Sequence, residues 1–250
     1  MSFVNYHTHC KRCKHAVGEE EDYIVEAIKH GFSELGMSDH IPYPDVDYGA
    51  RMEYMEKDSY LDTMSAIKEK HGGKLEIYTG FESEYLKKYD KYYQSLLDDT
   101  RCDYLILGQH FFEMPDGKIQ NVYDINDSKL LPLYAKSCVE AMRTGYFKML
   151  GHPDLFGVCE LKIDSNYQRA FDILIEGAEK YNFTLEYNAN GLRRGMSRFE
   201  DGMRYQYPMD ILWDMVKDTN VEVMVGSDCH NPEQLCDEYF VNSVKKMKER

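Results

Sequence analysis

The sequence predicts an α/β protein with a (β/α)7-like barrel, and three observations lead to this prediction. Short apolar runs alternate with amphipathic helical segments, seven such runs can be counted, and each leads into a polar residue. Strands that alternate with helices imply a parallel sheet. In a parallel barrel the C-terminal ends of all strands open on one face, which carries the chemistry. Residues from position 7 to position 230 can therefore converge on one pocket.

Each predicted strand is a short apolar run that leads into a candidate functional residue. The runs cover residues 3–6, 33–37, 74–79, 104–107, 147–150, 183–187 and 221–225. The residues reached after these runs are, in order, His7, His40, Glu82, His110, His152, Asn188 and Asp228. We therefore expect the functional site at the C-terminal ends of the strands.

Predicted helices lie between the strands and end near glycine or asparagine, as helices commonly do. They cover residues 21–30, 59–71, 127–144, 166–181, 208–218 and 232–248. Two longer connections, residues 42–55 and 191–207, lie on the predicted active face. Because loops on a rigid scaffold often carry binding residues, both are candidates for contacts with a substrate.

Composition restricts the class of protein. A chain of 250 residues without a linker or low-complexity run fits one domain, residues 1–250. It has neither a run of about 18 apolar residues nor a signal-peptide core, so we expect no membrane span. Its seven cysteines are scattered and odd in number, which favours reduced thiols and a cytoplasmic location. The net charge of −14 argues against a nucleic-acid partner. The oligomeric state stays open.

Several motifs have metal-ligand character. His7 and His9 form a His-x-His pair at a strand end, where side chains two residues apart face the same way. Glu82 is favoured over Glu84 as a carboxylate that bridges two ions, because it lies closer to the strand. The candidate ligands are His7, His9, His15, His40, Glu82, His110, His152, Asp228 and His230. A tetrahedral ion takes four ligands, so nine candidates point to two or three divalent metal ions.

Such a set favours a metal-dependent hydrolase. A hydroxide that bridges divalent metals is a strong nucleophile near neutral pH, and the metals neutralise a bound phosphate. The sequence contains no nucleophile elbow, P-loop or dinucleotide fingerprint. Basic residues cluster in or near the predicted active-face loops, which suggests an anionic substrate. They are Lys11, Arg12, Lys14, Arg193, Arg194, Arg198 and Arg204. Asp39 and Asp154 would orient imidazoles or cap helices.

These residues together resemble the PHP (polymerase and histidinol phosphatase) family, and within it the histidinol-phosphatase branch. The motifs are His7-Thr8-His9 with His15, Ser38-Asp39-His40, Gly80-Phe81-Glu82, His110, Gly151-His152-Pro153-Asp154, Glu186-Tyr187-Asn188 and Gly226-Ser227-Asp228-Cys229-His230. The resemblance spans essentially the whole chain. It implies a stand-alone distorted (β/α)7 barrel with a trinuclear site that holds Zn, Fe or Mn.

The resemblance also implies residue roles and an activity. One ion would be held by His7, His9, Glu82 and Asp228, a second by Glu82, His110 and His152, and the third by His15, His40 and His230. The implied reaction is hydrolysis of L-histidinol phosphate to L-histidinol and phosphate, by attack of a metal-bound hydroxide. Catalytic roles are expected for Glu82, Asp228 and His230, and substrate contacts for Asn188, Arg193 and Arg194.

Two departures from the family pattern concern the substrate. Lys11-Arg12 stands where a Pro-Phe-like pair is expected before Cys13. The segment directly after Gly151-His152-Pro153-Asp154 has no arginine, and its first basic residue is Lys162. One alternative is therefore a phosphoesterase that acts on another small phosphate ester or on a nucleotide. A second alternative is a metal-binding regulatory module without enzymatic activity.

Overall fold

A computed structural model describes residues 2–249 and contains the parallel sheet predicted from the sequence. The strands within these residues are β1 Phe3–Asn5, β2 Phe32–His40, β3 Glu76–Ser83, β4 Tyr104–Leu107, β5 Phe111–Glu113, β6 Ile119–Asn121, β7 Met149–Leu150, β8 Thr184–Asn188, β9 Met196–Phe199, β10 Gly202–Tyr205 and β11 Val223–Gly226. Seven of them form one sheet in the order β1-β2-β3-β4-β7-β8-β11. All pairs in this sheet are parallel.

The sheet closes on itself beyond the ends of its first and last strands. Thr8 forms a parallel bridge with Cys229. The backbone N–H of His9 donates to the carbonyl of Cys229 at 3.1 Å, and that of Asp228 donates to the carbonyl of His7 at 2.9 Å. The first and last strands of the sheet are therefore neighbours at this end, and the fold is a nearly closed (β/α)7 barrel, as predicted.

Helices connect the barrel strands as predicted, with differences at several ends. They are α1 Glu20–Lys29, α2 Lys57–His71, α3 Asp90–Leu97, α4 Leu131–Thr144, α5 Ser165–Tyr181, α6 Ala189–Arg193, α7 Asp210–Val216 and α8 Glu238–Lys248. The starts predicted for α4 and α8 were too early. Asp127 instead caps a separate 3-10 turn before α4, and Asp237 caps α8 by accepting from the N–H of Phe240. None of the helices among residues 2–249 is long and apolar enough to cross a membrane.

Two antiparallel hairpins and two short helices were not foreseen. The first hairpin, β5–β6, begins directly after His110. The second, β9–β10, occupies the long connection between β8 and α7. Helices α3 and α6 were also missed, and both lie close after a barrel strand. The hairpins and α6 thus belong to segments that follow strand C-termini, where a barrel carries its site.

An apolar plug fills one end of the barrel and leaves the other for polar side chains. The plug consists of Tyr6, Tyr104, Ile106 and Met149, and it is separate from the larger core between sheet and helices. A Cβ atom at Gly36 or Gly80 would overlap the Tyr104 side chain. These glycines therefore make room for the ring, whose hydroxyl donates to the carbonyl of Tyr6 at 2.7 Å.

Candidate metal centre

All nine predicted metal ligands come together at the C-terminal end of the barrel. His7 and His9 follow β1, His15 follows the 3-10 turn Lys11–Cys13, His40 ends β2, Glu82 lies on β3, His110 follows β4, His152 follows β7, and Asp228 and His230 follow β11. Five of the nine have a relative exposure of 5% or less, which shows how deeply the cluster is buried: His7, His9, Glu82, His152 and Asp228.

Glu82 lies at the centre of this cluster. Its Oε1 is 2.7 Å from Nε2 of His152, and its Oε2 is 3.0 Å from Nδ1 of His40. Oε1 also faces His7 at 3.4 Å and His110 at 3.6 Å, and Oε2 faces His9 at 3.4 Å. Because the two oxygens point to different groups of imidazoles, this carboxylate has the geometry of a bridge between two ions.

Pairs of histidine ring nitrogens in this cluster are close enough to bind the same metal ion. Nε2 of His7 lies 3.1 Å from Nε2 of His9, and Nε2 of His15 lies 2.9 Å from Nε2 of His230. Oδ1 of Asp228 is within 3.5 Å of both His7 and His9. Ligands at about 2.0–2.1 Å from a tetrahedral zinc ion are about 3.3 Å from each other. The donor atoms therefore fit a shared divalent ion.

Most of these imidazoles are oriented by a hydrogen bond at Nδ1, while Nε2 faces the cluster. His7 pairs with Glu186 at 2.8 Å and His110 with Glu84 at 3.0 Å. His15 and His230 pair instead with backbone carbonyls, those of Cys13 and Asp228. Such partners fix the tautomer and direct Nε2 towards the metal position. Glu84, the competitor of Glu82 in the sequence, thus lies behind a histidine and outside the central cluster.

Glu186 is the main residue that the sequence analysis did not assign. It is fully buried, its Oε1 pairs with His7, and its Oε2 accepts from the backbone N–H of His152 at 2.9 Å. A Cβ atom at Gly226 would overlap this carboxylate. The period of two along β8 could have identified it, since Glu186 shares a strand face with Asn188.

Two cluster residues have unusual backbone conformations. His152 has φ 31° and Asp228 has φ 46°, both in the left-handed region that favours glycine. Such conformations are retained where the surrounding structure requires them, as at functional sites. Here the N–H of His152 donates to Glu186 and that of Asp228 to the carbonyl of His7, so both turns are held by neighbouring strands.

Burial and mutual attraction set the charges of the cluster. Burial opposes the ionised form of Glu82, but His110, His7 and His40 outweigh it and hold its pKa well below the usual range. For His9, burial is likewise opposed by Asp228, Asp39 and Glu82, which raise its pKa to about 9. The cluster therefore contains ionised carboxylates beside imidazoles, and these carboxylates would attract cations.

A cavity of about 230 Å³ opens directly above the cluster. Its lining includes seven of the nine predicted ligands, and also Tyr123, Leu155, Asn190, Arg194, Tyr207 and Gln234. Among residues 2–249, Arg194 is the only lysine or arginine in that lining, and its guanidinium lies 5.6 Å from the ring centre of Tyr207. Within residues 2–249, no carboxylate lies within 4.0 Å of it. This cation is therefore available to an anionic ligand.

The structure separates the three predicted substrate contacts. Arg193 does not line the cavity, because its guanidinium is bound to Asp237 and to the carbonyls of Ser227 and Gln234. Asn188 is fully buried and donates to Glu186 and Asp228, so it positions ligands below the cavity. Only Arg194 of the three reaches the cavity.

The remaining candidates from the sequence lie around the site. Four of the basic residues pair with carboxylates: Lys11 with Glu19, Arg12 with Glu20, Lys14 with Glu53 and Arg204 with Asp201. Asp39 faces Nδ1 of His9 at 3.7 Å. Asp154 accepts from the N–H of Met209 at 2.5 Å. Asp39 is therefore next to a predicted ligand, whereas Asp154 anchors the segment before α7.

Known proteins share both the sequence and the fold. A protein of Deinococcus radiodurans named "Probable histidinol-phosphatase" is 27% identical, over 97% of this chain and 92% of that protein. A solved protein of Listeria monocytogenes has the same fold, with a TM-score of 0.75, 19% identity, and coverage of 96% of this chain and 99% of that one. The histidinol phosphate phosphatase of Lactococcus lactis, solved with Zn, L-histidinol and phosphate, has a TM-score of 0.71 and 15% identity, and the match covers 98% and 92% of the two chains.

The family model described as the PHP domain matches residues 5–190. This segment runs from the last residue of β1 through β8 and contains seven of the nine predicted metal ligands in their expected order. The family resemblance inferred from the sequence is thereby confirmed, and the chain belongs to the PHP domain family.

Proposed function

We propose that this protein is a metal-dependent phosphomonoesterase and that L-histidinol phosphate is its substrate. The observation that carries the proposal is one cavity with a ligand cluster at its base and Arg194 on its wall. A phosphate ester needs both features, since the cluster collects cations and the guanidinium is a matched donor to phosphate oxygens.

The cluster would hold two or three divalent ions, with Zn, Fe and Mn as the candidates. His7, His9, Glu82 and Asp228 would hold one, Glu82, His110 and His152 a second, and His15, His40 and His230 a third. Close groupings of His7 with His9 and Asp228, and of His7 with Glu82 and His152, support the first two sites. When bound, such ions supply a nucleophile from water and neutralise charge on a phosphate.

The protein's own residues would bind and orient the substrate. Arg194 would hold the phosphate through its N–H groups, with Tyr207 stacked beside the guanidinium. Glu82 would keep the ions at a fixed separation through its two oxygens. Asp228 and His230 both line the cavity, and burial lowers the pKa of His230 to about 3, while His7 and His9 outweigh burial and hold the pKa of Asp228 well below its usual range. Neither group therefore carries a proton near neutral pH, and the catalytic role we propose for both is to hold ions against the reacting phosphate.

The choice of substrate rests on related proteins. Relatives that match nearly the full chain are named histidinol-phosphatases, and the Lactococcus lactis structure contains L-histidinol and phosphate.

All seven cysteines of this chain are free thiols, which supports a cytoplasmic location. The acidic net charge of −14 disfavours long nucleic acids as substrates.

The test compares kcat/KM for L-histidinol phosphate with that for a panel of phosphomonoesters that includes nucleoside monophosphates and p-nitrophenyl phosphate. We expect activity with added Mn²⁺ or Zn²⁺, loss of activity with a chelator, and the highest kcat/KM for L-histidinol phosphate. A higher kcat/KM for a nucleoside monophosphate would contradict L-histidinol phosphate as the substrate and would assign the nucleotide instead. A fully metallated protein inert towards the whole panel would contradict the proposed enzyme.

A further inference from the structure

Arg51 is a buried cation in the long loop between β2 and α2, and no metal-ligand motif of the sequence includes it. Its residue exposure is 5%. Its guanidinium lies 5.4 Å from the ring centre of Tyr43, 5.8 Å from that of Tyr48 and 5.6 Å from that of Phe111. A desolvated guanidinium among three aromatic rings is well fixed in position. Burying a charge in this way is costly without a charged partner.

That partner is Glu84, whose residue exposure is 1%. Nη2 of Arg51 donates to Oε1 of Glu84 at 3.2 Å, and Nη1 donates to Oε2 at 3.4 Å. The hydroxyl of Tyr43 also donates to Oε2, at 3.0 Å. Arg51 further donates to the carbonyls of Ile41 at 2.9 Å and Gly49 at 3.1 Å. The loop is therefore tied to the carboxylate by a two-pronged ion pair.

Glu84 connects this ion pair to the metal centre. Its Oε1, the atom that accepts from Nη2 of Arg51, lies 3.0 Å from Nδ1 of His110. Nε2 of the same imidazole points to Glu82 and borders the cavity. A carboxylate at Nδ1 selects the tautomer with a free Nε2 lone pair and raises its basicity as a ligand.

We infer that Arg51 is a positioning residue for the metal centre and that it acts through Glu84 on His110. This inference rests on the proposed metal binding. Without Arg51 the buried carboxylate would lose its charge partner and the two N–H donors that fix its orientation, so its hold on Nδ1 of His110 would weaken. Removal of such an outer partner typically lowers metal affinity about 10- to 100-fold.

The test measures Zn²⁺ binding by the full-length protein, with metal content determined after equilibration in Zn²⁺ buffers. Arg51→Gln should need about 10- to 100-fold more free Zn²⁺ than wild type to fill its last site. Arg51→Lys keeps the charge and should recover part of the loss. Arg101→Gln is the matched control, because Arg101 pairs with Asp58, Asp62 and Asp99 outside the site; it should bind Zn²⁺ as wild type does.

A double-mutant cycle separates this role from a general loss of folding. Arg51→Gln should add little to the effect of Glu84→Gln on Zn²⁺ affinity, since both remove the same support of His110. Additive effects, or a folded Arg51→Gln protein with wild-type Zn²⁺ affinity, would overturn the inference. Wild-type protein that binds no Zn²⁺, Mn²⁺ or Fe²⁺ would instead overturn the proposed function as well, so the two failures are distinguishable.

Discussion

Nε2 of His7 and Nε2 of His9 lie 3.1 Å apart at the end of β1, with both side chains fully buried. Without an ion, this distance requires one ring to donate an N–H to the other, because two accepting nitrogens would repel each other. A shared cation would instead let both nitrogens donate their lone pairs to the same ion. The pair thus links the stability of the barrel end to metal binding.

Metal removal should therefore lower thermal stability. An ion present at about 1,000 times its Kd stabilises the fold by about 4 kcal/mol, which corresponds to about 8–16 °C in Tm for a protein of this size. We expect the Tm to fall by at least this amount after dialysis against a chelator and to recover when Zn²⁺ or Mn²⁺ is restored. Differential scanning calorimetry provides the measurement, and an unchanged Tm would contradict a metal centre in the barrel.

Metal uptake should release protons at pH 7. The raised pKa of His9, about 9, means that the ion-free imidazole is protonated at this pH, whereas a ligand must be neutral. At pH values above 9 the ring is already neutral, so this contribution should disappear. Calorimetric titration of ion-free protein with Zn²⁺, in two buffers of different ionisation enthalpy, counts the protons. Zero release at pH 7 would show that His9 is neutral before the ion arrives.

Glu82→Gln should reduce metal content and activity together. The amide keeps the volume but loses the negative charge, and only one of its two terminal atoms can accept a metal bond. We expect loss of at least one equivalent of metal and a correspondingly inactive protein. Glu76→Gln is the control, because Glu76 is an exposed residue at the other end of β3. Full metal content in Glu82→Gln would refute the bridging role.

Arg194→Ala should weaken the use of phosphate esters without removing metal. A hydrogen bond to a charged group contributes about 1.5–3 kcal/mol, so kcat/KM should fall by about 10- to 150-fold. Arg198→Ala serves as the control, since Arg198 is exposed on β9 and does not line the cavity. Steady-state kinetics with metal content measured in parallel separates the effects. Equal kcat/KM values for Arg194→Ala and Arg198→Ala would contradict a role of Arg194 in substrate binding.

The sequence predicted the metal-ligand candidates far better than it predicted the residues that hold these side chains in place. His7, His40, His110 and His152 follow apolar runs, and the parallel barrel brings strand C-termini together whatever their separation along the chain. The residues that position these side chains follow no comparable sequence pattern. Arg51 lies in a loop, and its pairing with Glu84 depends on a tertiary arrangement that no local pattern encodes.

The side-chain directions of the predicted substrate contacts also depend on tertiary structure. Arg193 and Arg194 are adjacent, and only the three-dimensional structure distinguishes them, because one faces Asp237 and the other faces the cavity. Helix α3 and the hairpin β9–β10 were missed for a related reason. Helix α3 has only eight residues and each strand of the hairpin has four, so neither segment is long enough for a hydrophobic period to stand out.

Gly108→Ala tests whether close packing holds the bridging carboxylate in place. Gly108 follows β4 directly, and a Cβ atom there would overlap Oε1, Cδ and Cγ of Glu82. Since Glu82 is also held by His152 and His40, it could relieve the overlap only by leaving these contacts. We expect a folded protein with reduced metal content and at least tenfold lower kcat.

Gly177→Ala is the matched control, because its Cβ would overlap Val139 between α5 and α4, away from the site. That control should lower Tm while its metal content stays at the wild-type level; the reverse pattern, with metal lost only from Gly177→Ala, would show that space beside Glu82 is not what maintains the centre.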